Sequence, residues 1–391
     1  MSVLTGSATD YADLLNQLDS FLTSTGMALT PSFTGAGNGT IAALGGSASV
    51  AEVITVTFSS ATAFAVVGSV SGALGAGVVG TPFVSTKVNL TVTAGGTAFS
   101  SGDVFTFSVT PPWTSMRRTA GVEMIWQAPG NGGLDQILVG AQTFFDPTGN
   151  YYNWRLGGFL AFDSGSPFDQ QSGYVGGNSQ AFPSPVLPLW DSTIPFWFIA
   201  NGRRAIVIAQ ISGVYMTCYL GFLSAYMSPG TFPYPLIVGG SLAFASAEPA
   251  VGSPNWRWSY AGPEMRAFPM PVPLNLGADS DSSLRLRLPS GIWRGFSTSA
   301  ADATYGKVWP YGWVNIAAWD WRPNLDGSYS MLPVVLCDNT PNVYGELEGV
   351  YAITGFSQGA ENTITVGGIQ YLVVQNAFRN TKSDFFAVRL S

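Results

Sequence analysis

The chain of 391 residues contains no histidine. Without an imidazole, Ser-His-Asp and Cys-His nucleophile systems and the usual zinc sites cannot be built in their common forms. Charge is also scarce. Asp, Glu, Lys and Arg make up 10% of residues, no basic run occurs, and the net charge is −7, so the electrostatic footprint of a nucleic-acid binder is missing. Nucleic acid is not expected as a partner. Only two cysteines occur, Cys218 and Cys337, in the apolar runs MTCYLGF and PVVLCDN, with no CxxC or zinc spacing. They are expected to be buried free thiols. No P-loop, no GxGxxG after a strand and no EF-hand pattern is present, so neither cofactor nor metal is expected. The first residues, MSVLTGSATDYADLL, lack a basic stretch followed by an apolar one, and no secretory signal is expected.

What is abundant is apolar (46%) and aromatic (13%), with 47 glycines and 25 prolines. That profile points to many short strands joined by tight turns, and the length allows two or three domains. The fold class expected is mainly β: an N-terminal helix, a small β-sandwich, then a large aromatic-rich all-β domain. Residues 1–30 hold the docking helix, because Tyr11, Leu14, Leu15, Leu18, Phe21 and Leu22 recur at three- and four-residue spacing, with Thr9 or Asp10 as cap and Gly26 as stop. Such a helix packs on its own strands or docks onto another subunit. Residues 31–112 read as a sandwich of about seven strands (EVITVTF, TAFAVVGSV, KVNLTVTAGG, DVFTFSV). At Pro111-Pro112 the character changes: all 12 tryptophans lie at or beyond Trp113. Residues 113–391 read as one large β-domain, with an insertion possible around residues 163–190 and hairpin signals at Asn201-Gly202, Ser290-Gly291, Asp326-Gly327 and Gly367-Gly368. From Ala205 to Ala247 no residue is charged, but the run is rich in β-branched residues and broken by Gly, which fits two or three buried strands better than a lipid-facing helix.

Three constellations could carry function. Glu346 and Glu348, two apart on a strand-like run, share a face with Cα atoms about 7 Å apart; a glycosidase needs such a pair, while the plainer reading is a solvated edge or a pair neutralised by arginines. Trp256 with Trp258, and Trp319 with Trp321, also share strand faces and could stack on sugar, or fill a core or a subunit contact. Arginine exceeds lysine 13 to 3, which suits planar contacts with carboxylates at intra- or intersubunit interfaces. Arg285 and Arg287 alternate with leucines in SLRLRLPSG, giving that strand one apolar and one basic face. In FIANGRRAIVIAQ, Asn201-Gly202 predicts a type I′ turn between Phe196–Ala200 and Arg203–Ile208. Arg203 and Arg204 then point to opposite faces, and one of the two, not both, is expected to pair with a carboxylate, Glu346 or Glu348, within the subunit or across an interface.

The blocks EMIWQAPG, YYNWRLGGF, PFWFIANGRRAIVIAQ, YLGFLSAYMSPGTFPYPLIVGGS, LRLRLPSGIWRGF, LPVVLCDNTPNVYGELEGVYAITGF and the terminal AVRL resemble virion structural proteins of tailed bacteriophages, and the front region is similar to β-modules of such proteins. The resemblance implies a non-enzymatic structural role in the virion, in the phage tail, baseplate or fibre attachments. The partners it implies are other virion proteins and copies of the chain itself under cyclic symmetry. A host-surface glycan-binding tail-fibre module is the alternative, and a glycan depolymerase a third reading.

Overall fold

The computed structural model describes residues 2–24, 26–28, 31–46, 51–130, 135–146, 151–176, 184–244, 268–270, 282–297, 306–311, 329–338, 342–377, 382 and 384–390. The fold is mainly β, with an N-terminal α-helix, Tyr11–Ser24, and several sheets, the largest of fourteen strands. Among the described residues every strand pairing but one is antiparallel; the exception joins Phe296 to Gly306 and Ser297 to Lys307.

Three consecutive strands, Ile194–Ala200, Arg204–Ile211 and Val214–Phe222, lie side by side in the large sheet. Phe196, Phe198, Val207, Met216 and Leu220 point into one core. Ile199, Ile206, Ile208 and Tyr219 point into a second. A strand buried on both faces tolerates a charge only where backbone or counter-charge partners meet it, which is why this stretch after Arg204 reads as a continuous apolar run. The uncharged stretch therefore contributes the buried strands Arg204–Ile211, Val214–Phe222 and Leu236–Gly239, and among the described residues no helix is long and apolar enough to cross a membrane.

The helix closes the first core from outside. Its stripe of Leu14, Leu15, Leu18 and Leu22 is fully buried against the strands of the six-stranded sheet that begins with Thr114–Thr119 and Glu123–Ala128. Asp10 caps it, its Oδ1 accepting from the N–H groups of Ala12 (2.8 Å) and Asp13 (2.7 Å). Asp19 sits on the buried stripe with 1% exposure. Its Oδ1 accepts from the Trp126 indole at 2.8 Å, and its Oδ2 lies 2.9 Å from Arg118 Nε. A strand that the sequence reading of residues 1–30 does not contain, Ser2–Ala8, precedes the helix and pairs with Ile194–Ala200 from Ser2↔Ala200 to Ala8↔Ile194. Its five middle residues are exposed, so no in-out alternation marks it in the sequence.

The small sandwich packs two sheets around Ile54, Val56, Phe58, Phe64, Leu90 and Phe107. Residues 31–112 contain just three charged side chains, Glu52, Lys87 and Asp103, and the two carboxylates are turned inward. Asp103 accepts backbone N–H bonds from Ser100, Ala36 and Gly37, each at 3.0 Å. Those bonds, Ser100's first, hold its carboxyl below the usual aspartate range. Glu52 accepts from Ser71 and Val70. Burial pushes its pKa up, but these bonds and the charge of Lys87 outweigh it, and the net shift is down.

Candidate functional site

The Asn201-Gly202 pair does not form the type I′ turn that the sequence predicts. That turn needs positive φ at both central residues, and neither Asn201 nor Gly202 is among the residues with positive φ. Instead Ala200 pairs with Ala205, the Asn201 N–H donates to the Arg204 carbonyl at 3.0 Å, and the second arm starts at Arg204 rather than Arg203. The reason is local competition. Asn201 Oδ1 accepts from the N–H groups of Arg203 (2.8 Å) and Arg204 (3.0 Å), which folds the turn around its own side chain. Gly202 is required for room: a Cβ there would meet the Gly130 carbonyl at 2.7 Å and the Thr110 side chain at 2.9 Å. The type I′ geometry occurs at Ser212-Gly213 (φ 50° and 82°) and at Gly367-Gly368 (φ 58° and 81°), where Val366 pairs with Ile369. Gly291 of the Ser290-Gly291 signal has φ 88°, and Asp326-Gly327 lies outside the described residues.

This turn sets Arg203 beside a carboxylate and leaves Arg204 in its electrostatic reach. Arg203 Nη1 lies 3.9 Å from Glu348 Oε2, and its Nη2 donates to the Leu223 carbonyl at 3.1 Å. Arg204 is fully buried and donates from Nη1 to the Ile199 carbonyl at 3.1 Å. Burial pulls the Arg204 pKa down, and the negative charge of Glu348 is the largest influence in the other direction. Glu348 Oε1 accepts from Asn201 Nδ2 at 2.5 Å. Beneath them the buried Tyr219 hydroxyl donates to the Phe222 carbonyl at 2.6 Å, and burial first, then the charge of Glu348, raises its pKa. Trp113 adds a bond from its indole to the Asn201 carbonyl at 2.9 Å. The arrangement is a clasp. It joins the hairpin to the strand Val343–Ile353, 147 positions away from Asn201 in sequence, and supplies a buried guanidinium with a nearby counter-charge.

Glu346 lies two residues before Glu348 on that strand and has a separate partner, the Tyr226 hydroxyl at 3.0 Å. Burial and this carboxylate push the Tyr226 hydroxyl up to about 12. The basic face expected on the LRLR strand is turned to backbone carbonyls and an aromatic ring. Leu284 and Leu286 enter the second core, and Arg285 is 2% exposed, donating to the carbonyls of Ser282 (3.2 Å) and Val175 (2.9 Å). Both faces are buried there, so the guanidinium satisfies loop carbonyls instead. Arg287 lies over the Tyr234 ring, 5.4 Å from its centre. Arg117 behaves like Arg285: one nitrogen pairs with Glu123 at 2.8 Å, and the other gathers the carbonyls of Asp163, Ser164 and Ser166. A five-donor fork can tie down a loop in this way and a lysine cannot.

Trp256, Trp258, Trp319 and Trp321 lie outside the described residues. Cys218 and Cys337 are buried thiols outside any disulfide, and burial pushes the Cys218 thiol up to about 12. Among the described residues no three of Cys, Asp and Glu gather as a metal site. Sequence reasoning missed Asp19, Asn201 as a side-chain ligand, and Tyr219. Only Asp19 carried a signal, since it falls between Leu15, Leu18 and Leu22 on the apolar stripe. The sequence matches no protein-family model and no curated protein.

Proposed function

We propose that this protein is a non-enzymatic structural subunit of a tailed-phage virion, placed in the tail, baseplate or fibre-attachment region. It assembles with copies of itself and with other virion proteins. The observation that supports this reading is the outer face of the small sandwich. Adjacent strands Glu52–Phe58, Ala63–Gly68 and Gly72–Val78 present Val53 (41% exposed), Val67 (43%) and Val78 (53%) outward, among Thr, Ala and Gly. With Glu52 and Asp103 turned inward, Lys87 is the one charge left for the outside of residues 31–112. Burying such a surface against a second copy removes no charge from water, and each fully buried valine contributes about 1.5–3 kcal/mol. In this reading Glu346 and Glu348 serve the fold, neutralising and orienting their neighbours.

Light scattering on the purified chain tests the assembly. A concentration-dependent oligomer that Val53→Glu with Val67→Glu converts to monomer is the expected result. A wild-type chain that stays monomeric at hundreds of micromolar, together with particles in which cryo-electron microscopy or antibody labelling finds no copy, overturns the proposal.

A further inference from the structure

The first strand, Ser2–Ala8, stands at one end of the fourteen-stranded sheet, so one of its edges has no neighbouring strand. Which backbone groups face that edge follows from the hairpin beside it. The Asn201 N–H donates to the Arg204 carbonyl, and bonding alternates along an antiparallel pair, so Ile199 and Trp197 also turn their backbone groups toward Arg204–Ile211. Ala200, Phe198, Phe196 and Ile194 therefore bond to the first strand, at their partners Ser2, Leu4, Gly6 and Ala8. Val3, Thr5 and Ser7 point theirs outward. In agreement with that alternation, the Ser7 carbonyl accepts from Gln17 Nε2 at 3.2 Å. No hydrogen bond joins the N–H and C=O groups of Val3 and Thr5 to another described residue, and residues 3–7 are all exposed. Natural sheets blunt such edges with charge, bulges or short strands. Three other sheet ends here are blunted: Thr114–Thr119 carries Arg117, Arg118 and a register shift, Gly72–Val78 a register shift and three glycines, and Leu242–Phe244 is three residues long. Ser2–Ala8 is uncharged and pairs without a shift over its whole length.

We infer that this edge pairs with the same edge of a second copy, antiparallel about a twofold axis centred on Leu4. In that register Val3 of each copy exchanges both backbone bonds with Thr5 of the other, which uses the four free groups and no others. Centring on Thr5 would instead call on the Ser7 carbonyl that Gln17 holds. Leu4, 39% exposed, meets its own counterpart in the closer kind of pair, with about 4.5 Å between Cα atoms. Like charges stay apart. Asp10 and Asp13 follow the far end of the strand in each copy, and the two Ala8 residues are about 27 Å apart, beyond the screening length of about 8 Å. Four backbone bonds and one leucine pair make a weak contact, dissociating at about 1 mM. It adds to the valine-face contact of the sandwich and does not depend on it.

Disulfide trapping in the full chain tests the register. Leu4→Cys and Val3→Cys place thiols at similarly exposed positions of one strand. The twofold sets the two Cα atoms about 4.5 Å apart at position 4 and about 8 Å apart at position 3, too far to bridge. Cys218 and Cys337 are buried and take no part. Under mild oxidation Leu4→Cys forms covalent dimer at least about tenfold faster than Val3→Cys. Adding Thr5→Pro to Leu4→Cys removes an outward N–H, keeps the bonds to Ile194–Ala200, and slows dimer formation to the Val3→Cys rate; an unchanged circular dichroism spectrum verifies that this variant folds. The same ratio is expected in the Val53→Glu, Val67→Glu background, so the two contacts hold or fail separately. Equal rates for Leu4→Cys and Val3→Cys overturn the inference, whether the edge is then bare or taken by a strand of another protein. So does undiminished crosslinking in the folded Leu4→Cys, Thr5→Pro variant.

Discussion

Replacing Glu348 with glutamine changes one charge in the clasp and almost no shape. Three contributions are affected. The contact with Arg203 is long, 3.9 Å, and both side chains are about one-fifth exposed, so it contributes at most about 1 kcal/mol. The bond from Asn201 survives to a neutral oxygen, and the change from a charged to a neutral acceptor costs about 1–1.5 kcal/mol. The largest part is Arg204, whose buried guanidinium loses its principal counter-charge. Breaking a close buried pair costs about 3–5 kcal/mol, and Glu348 acts on Arg204 together with other groups, so a fraction of that applies. Together these give about 2–4 kcal/mol for local opening, or roughly 30- to 700-fold faster amide exchange. Hydrogen-exchange mass spectrometry on peptides spanning residues 198–211 reads this directly, with peptides of the small sandwich as internal reference. A double-mutant cycle locates the cause: in an Arg204→Met background, Glu348→Gln costs at least about 1 kcal/mol less. Unchanged protection of residues 204–211 in Glu348→Gln, or strict additivity with Arg204→Met, refutes the assignment of Glu348 as counter-charge to the hairpin.

Two further outcomes follow from the inward-facing carboxylates. Because backbone N–H bonds depress the Asp103 pKa in the folded chain, the unfolded chain binds more protons in acid, and Asp103's stabilisation is present above the ordinary aspartate value of about 3.9 and lost as pH falls through the folded value. Asp103→Asn therefore flattens the acid limb of the sandwich's stability curve below about pH 4, and an acid limb identical to wild type contradicts this. Asp19→Ala leaves the buried Trp126 indole without its acceptor and destabilises helix docking by about 1–3 kcal/mol, whereas Asp19→Asn, which retains an oxygen there, costs markedly less; tryptophan fluorescence and limited proteolysis around residues 8–26 distinguish the two.

The aromatic and glycine-rich composition, the helix stripe and the alternation in residues 52–58 and 104–110 together sufficed for a mainly β reading with one N-terminal helix, because secondary structure follows from local periodicity. Local periodicity also brought Arg203, Arg204 and Glu348 to attention, since charge in an apolar run is conspicuous. It could not decide the turn. Asn201-Gly202 is a type I′ signal by dipeptide, yet the Asn201 side chain hydrogen-bonds two following N–H groups while its amide serves Glu348, and Gly202 answers to the crowding of Gly130 and Thr110. The first contact is local but needs the side chain's conformation, and the contacts with Glu348, Gly130 and Thr110 come from about 70 to nearly 150 positions away.

The same division runs through the rest of the chain. Missing histidine and sparse charge limited by themselves which chemistry the side chains could perform. Whether a given charge faces water, a carbonyl or a carboxylate was decided only by tertiary structure. Alternation told Arg285 apart from its leucine neighbours, but a strand covered on both sides gives its polar face no solvent, so that arginine turned to the carbonyls of Ser282 and Val175.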